Sequence, residues 1–145
     1  MVKKHHIWKV LDPNTYVYGE NLFGVHSIAY EALSEEETFR VFAVRVVDEF
    51  LSFSDTQSYC REKGLPTVPV LFRGEIHKAK EIERRMAQPT GPSYLGKERE
   101  GLVMRIEQAF PAKHFSHNVC KSVRPNHVQT NQHWTKNWKP CKLLK

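Results

Sequence analysis

The chain has 145 residues, of which 40% are hydrophobic and 26% charged. This suits one globular domain with a buried core, and no apolar run reaches the length of a membrane-spanning helix. The basic start Met1-Val2-Lys3-Lys4-His5-His6 lacks the apolar stretch of a signal peptide, so the expected setting is intracellular and cytoplasmic. A net charge of +6 favours a polyanionic partner, because neutralising phosphates releases counterions. The three cysteines, Cys60, Cys120 and Cys141, are too few and too uneven for a disulfide framework.

In chain order, Tyr16 to Tyr18 alternates and carries aromatics, which predicts a strand ended by Gly19-Glu20-Asn21. Phe39 to Val47 is β-branched and aromatic and predicts a buried or half-buried strand. Ser54-Asp55-Thr56-Gln57 fits a capping box that opens a helix running to about Lys63, with Gly64 placed to end it. Val68 to Phe72 reads as a short strand, with Pro69 marking either an edge or a strand start. Lys78 to Met86 is rich in helix formers, and Gln88 to Lys97, with two prolines and two glycines, is a loop. Glu100 to Ile106 and Val119 to Arg124 read as strands, followed by a polar tail with His127, His133, Trp134 and Trp138. Helices and strands mix without a βαβ rhythm, so the expected class is α+β with mostly antiparallel sheets and a few helices.

Polar residues gather next to three of these strands: Glu20 after the first, Glu100 at the start of another, and Lys121 with Arg124 on the last. If they converge, two carboxylates can hold Mg²⁺ directly or through water, while lysine and arginine meet phosphates. Singly, each is an ordinary surface charge, and Phe42 is an ordinary core aromatic.

Order and context add more. The run Tyr18-Gly19-Glu20-Asn21-Leu22-Phe23-Gly24-Val25-His26-Ser27-Ile28-Ala29-Tyr30 resembles the GENLY…HSI.Y segment of the ATP-dependent RNA ligases, members of the covalent nucleotidyltransferases. Phe39 to Val47 is similar to the aromatic strand called motif III in that family. Leu51 to Thr56 and Gly64 to Leu71 resemble the segments that follow it. Glu100-Gly101-Leu102-Val103 resembles motif IV, and Val119-Cys120-Lys121-Ser122-Val123-Arg124 resembles motif V. Asn126-His127-Val128-Gln129-Thr130 with His133-Trp134 resembles the HVQT…HW ending of one branch.

The resemblance implies a single, N-terminally incomplete nucleotidyltransferase domain over residues 1–145, part of an ATP-grasp-like adenylation fold. It implies ATP as substrate, Mg²⁺ or Mn²⁺ as cofactor, and RNA ends as partners in the joining of a 5′-phosphate to a 3′-hydroxyl, a chemistry of RNA repair. By the same resemblance Glu20 contacts the ribose, Phe42 stacks on adenine, Glu100 helps hold the metal, and Lys121 meets the α-phosphate and neutralises charge in the transition state. Arg105 and Arg124 are implied phosphate or RNA contacts.

The chain departs from the family pattern in three places. Phe42 is followed by Ala43 where ligases often carry aspartate. Motif V has Val123 where many ligases have a second lysine, so that cation is either absent or supplied by Arg124. The nucleophilic lysine of K-x-D-G is not found in the 18 residues before Gly19: Lys3, Lys4 and Lys9 lack the glycine turn, and Lys9-Val10-Leu11-Asp12-Pro13 has proline instead. Without that amine there is no covalent lysine–AMP step. The chain then reads as a fragment of a longer gene product, as one half of a split enzyme whose partner is an N-terminal ligase fragment carrying the lysine, or as a decayed copy. The alternative is a catalytically inactive nucleotide- or RNA-binding remnant, and a guanylyltransferase fragment ranks below both. His114, His117, Cys120, His127 and His133 hold zinc-ligand chemistry, but their spacing matches no standard finger.

Overall fold

The computed structural model describes residues 7–25, 28, 30, 33–88, 91–96, 98–125 and 139–144. Its centre is a four-stranded antiparallel sheet with strand order β1-β3-β4-β6, made of β1 (Thr15–Asn21), β3 (Phe39–Val46), β4 (Glu49–Phe50) and β6 (Phe110–Pro111). Two antiparallel ribbons accompany it: β2 (Gly24–Val25) with β8 (Lys139–Pro140), and β5 (Gly101–Arg105) with β7 (Val119–Val123). Helices α1 (Phe53–Glu62), α2 (Ala79–Met86) and α3 (Phe115–Asn118) complete the described elements, with short 3-10 turns at Ile7–Lys9, Glu36–Thr38 and Ala112–His114. The class is α+β, and among the described residues the five strand pairs are antiparallel, with isolated parallel bridges at Leu33–Leu143 and Val41–Thr67. Among the described residues no helix is long and apolar enough to cross a membrane.

A bulge sets which side chains go where. Tyr18 pairs with Ala43 and Gly19 with Val41, so Phe42 is the extra residue in β3. An inserted residue shifts the two-residue alternation of a strand. As a result Val41 and Val44, three positions apart, both pack in one cluster with Cys60 of α1, against Val17, Phe39, Leu51, Tyr59 and Leu65. Ala43 goes to the other side and joins Phe50 and Phe110, with Tyr18, Phe42, Ala112 and Val119 around them. The Phe50 ring stacks on Phe110 at 5.3 Å and meets Phe115 of α3 and Tyr18 at 5.4 Å each. Fully burying a valine or phenylalanine contributes about 1.5–3 kcal/mol, so these two clusters dominate the hold on β3. A third cluster of Leu22, Leu33 and Cys141 carries Tyr30 and Leu95 on its flank.

The same bulge extends β1. Gly19, Glu20 and Asn21 do not end the strand, as the sequence suggests, but continue it opposite Val41, Arg40 and Phe39. Glycine at 19 is required by close approach: a Cβ there would lie 2.5 Å from the Phe39 ring and 2.7 Å from the Arg40 carbonyl oxygen.

The start of α1 also differs from expectation. The cap is Ser52, whose Oγ accepts from the Asp55 backbone N–H at 3.0 Å and donates to the Asp55 carboxylate at 2.6 Å. Ser54 instead donates to Glu107, at 2.8 Å, so the serine two positions earlier does the capping. Gly64, at φ +68°, follows the helix end as predicted. Val68 to Phe72 forms no strand. Only Thr67 bridges Val41, and Val70, Leu71 and Phe72 are exposed. Pro69 has no N–H to extend a ladder.

Candidate functional site

Glu20 lies on β1, exposed, directly opposite Arg40 of β3. Arg40 is buried and fixed: its guanidinium donates to Glu37 at 2.9 Å and to the Thr67 carbonyl at 3.1 Å. Glu100 precedes β5, and its carbonyl accepts from the Arg124 N–H at 3.0 Å, which closes the end of the β5–β7 ribbon. Gly101 permits that closure, since a Cβ there would run into the Ser122 carbonyl oxygen.

Three of these groups act on Tyr30 at electrostatic range. Burial, first, and then the negative charges of Glu100 and Glu20 push the Tyr30 phenol above its ordinary value, while Arg124 pulls it down. Two carboxylates and one guanidinium, far apart in sequence, therefore lie within electrostatic reach of one half-buried hydroxyl. Arg124 is paired with Glu98 at 3.5 Å.

Phe42 is half-buried and lines a cavity of about 430 Å³ together with Ile7, Leu11, Val17, Tyr18, Gly19 and Phe39. It is an open depression and not an enclosed cavity, and its wall is apolar with three aromatic rings. Glu20 is the next residue after Gly19 on β1, but neither Glu20, Glu100 nor Lys121 lines the cavity.

Lys121 sits in the middle of β7 opposite Val103, and both are exposed. Strand alternation puts Val119, Lys121 and Val123 on one face. Val119 of that face packs on the cluster that includes Phe42. Lys121 is thus two residues along the same ribbon face from a neighbour of that cluster. The structure joins Glu100 to Arg124 at the end of the β5–β7 ribbon, with Glu20 within electrostatic range of the same tyrosine; Phe42 lines the depression beside β1, and Lys121 lies on the ribbon face that carries Val119.

Arg105 is a brace within the fold. Its guanidinium donates to the Leu51 carbonyl at 2.7 Å and to Ile106 at 3.0 Å, and lies 5.3 Å from the Phe110 ring centre. Burial lowers its pKa, with Glu107 opposing, yet an arginine remains charged.

Tyr30 and Val103 were given no role by their sequence context, because strand pairing decides what they face. Lys3, Lys4, His26, His127, His133 and Trp134 lie outside the described residues. Among the described residues no three His, Cys, Asp or Glu side chains come together as a metal cage. His114 and His117 face each other edge-on at 6.4 Å.

No curated protein and no solved structure matches this chain. The family model described as RNA ligase matches residues 1–123, a stretch that holds β1, β3, the β5–β7 ribbon and the cavity wall. The chain belongs to the RNA ligase family.

Proposed function

We propose that this chain supplies the nucleotide- and phosphate-binding part of an ATP-dependent RNA ligase, which joins an RNA 5′-phosphate to a 3′-hydroxyl when a lysine nucleophile is presented to the site. The observation that carries this reading is the RNA ligase family match over residues 1–123, with Phe42 and Gly19 lining an apolar depression next to Glu20 on β1 and Glu100 joined to Arg124 at the end of the β5–β7 ribbon. An aromatic wall suits a flat base. Phe42 stacks on adenine, and exposed Val103 offers a second apolar flank on the face of Lys121. Glu20 accepts hydrogen bonds from the ribose hydroxyls. Lys121 and Arg124 meet phosphate oxygens, and Lys121 neutralises charge that builds up during transfer. Arg105 contributes to RNA binding by fixing the ribbon from which these cations project.

The donor set fits a hard cation. Mg²⁺ or Mn²⁺ is commonly held by one or two carboxylates, with phosphate oxygens and water completing the shell. Glu100 offers such oxygens next to Arg124. When bound, the cation supplies charge neutralisation at the phosphates. In this reading the partners are ATP, RNA ends and an N-terminal ligase fragment, the setting is cytoplasmic, and the task is RNA repair.

The second reading, a nucleotide- or RNA-binding protein without chemistry, is favoured by one observation: among the described residues, those that line the cavity include no lysine. Incubation with α-labelled ATP and Mg²⁺, with and without a ligase fragment carrying K-x-D-G, separates the two. A labelled protein adduct only with the fragment supports the ligase reading. ATP binding without any adduct supports the second reading.

A further inference from the structure

Tyr94 exposes 78% of its surface, more than any other exposed large hydrophobic side chain among the described residues. Its loop is nevertheless built. Ser93 and Gly96 form a bridge, and the Leu95 N–H donates to the Ser93 hydroxyl at 3.1 Å. Arg99 ties the loop from behind: its N–H donates to the Gly91 carbonyl at 2.9 Å and its guanidinium to the Pro92 carbonyl at 3.2 Å. Gly91, at φ +153°, leaves room for that guanidinium, because a Cβ would lie 2.6 Å from it. Leu95 plugs into the Leu22, Leu33 and Cys141 cluster, on which Tyr30 also packs. With Leu95 anchored inward, Tyr94 is held out.

The ring is not isolated from the candidate site. The Arg40 guanidinium lies 5.9 Å from its centre, and Arg40 is the cross-strand partner of Glu20. A fixed, buried cation therefore sits against an aromatic ring whose surface is mostly open to solvent, one strand from a proposed ribose contact. The loop backbone that presents the ring is anchored through Arg99 and Leu95, which lowers the ordering cost of binding a flat partner.

We infer that Tyr94 is a stacking platform for an unpaired base of the RNA strand whose end enters the site. This rests on the RNA-joining reading above. Single-stranded RNA is recognised by aromatic faces combined with cations, and the chain carries a net charge of +6. A protein partner would need apolar neighbours around the ring, whereas the loop beside it offers Pro92, Ser93, Gly96 and Glu98.

The test compares the full chain with Tyr94→Ala and Tyr94→Trp. Binding of a 5′-phosphorylated single-stranded oligoribonucleotide is read by fluorescence anisotropy, and AMP binding by calorimetry. Tyr94→Ala should weaken RNA binding about tenfold, within the range of a lost base stack. Tyr94→Trp should keep it, and AMP affinity and melting temperature should stay unchanged in both. RNA binding by Tyr94→Ala equal to that of the wild type overturns the inference while leaving the ligase reading intact. A wild-type chain that binds neither AMP nor RNA overturns both.

Discussion

A Cβ on Gly19 would lie 2.5 Å from a ring carbon of Phe39, so the strand that bears Glu20 and the strand that bears Phe42 approach as closely as they do only because residue 19 has no side chain. Gly19→Ala forces the ring or the strand to move. Overpacking of this kind costs about 1–3 kcal/mol, and because Gly19 and Phe39 both line the cavity, nucleotide affinity should fall as well. Urea denaturation and AMP calorimetry on the same preparation check both effects.

Lys121 separates binding from folding. It is exposed in the middle of β7, and surface substitutions of this sort change stability by no more than about 0.5 kcal/mol. A contact from a charged donor to phosphate is worth about 1.5–3 kcal/mol. Lys121→Ala should therefore melt with the wild type yet bind ATP at least tenfold more weakly, by about the same constant. Equal ATP affinity would remove Lys121 from the site.

The three thiols should differ in reactivity. Cys120 is exposed, whereas Cys60 and Cys141 are buried. Burial pushes the Cys60 thiol from 9.0 up to about 11 and raises Cys141 as well. Since the thiolate is the reactive form, a thiol reagent at pH 8 should modify Cys120 fast and the other two only after unfolding. The sign of the linkage follows: between 9.0 and about 11 the unfolded chain loses the Cys60 proton first, so this thiol's contribution to stability falls as pH rises through that window. Mass spectrometry of digests, with melts at rising pH, reads both.

The N-terminal turn is held to α1 by Lys63 and Asp12, at 3.0 Å. The hydrogen bond from Lys63, above all, holds the Asp12 carboxyl below its ordinary value, and the same bond raises Lys63. A lowered carboxylate contributes stability above its unfolded pKa and loses it as pH falls through the folded value. Lys63→Met should thus be less stable than the wild type at neutral pH, with the gap closing in acid. A gap that is constant with pH would contradict the ion pair's role.

Strands β1, β3, β5 and β7 and helix α1 are legible in the sequence because each has its own period, composition or flanking glycine. What is not legible is whatever depends on a partner strand. The bulge at Phe42 shows only against Tyr18 and Gly19, and it decides that Val41 and Val44 share a face. The Ser52 cap lost to Ser54 on paper because Glu107, more than fifty residues on, takes Ser54 for itself. The strand expected at Val68 to Phe72 is absent because pairing with β3 stops at a single bridge, in which Pro66 and Val68 bond to Val41, and the next residue, Pro69, has no N–H to continue it. Motif order makes Glu20, Phe42, Glu100 and Lys121 candidates. That Glu20 and Glu100 both act on Tyr30, and that Val103 lies opposite Lys121, emerges from pairing and packing.

The most direct test is AMP calorimetry in Mg²⁺ on the wild-type chain and on Glu20→Gln, Phe42→Ala, Glu100→Gln and Lys121→Ala, each with its melting curve. One shared nucleotide site predicts measurable AMP binding by the wild type and a clear loss in all four variants, with the exposed Glu20 and Lys121 changes leaving the melt unmoved. No AMP binding by the wild type, or unchanged affinity in the folded Glu20 and Lys121 variants, would contradict it.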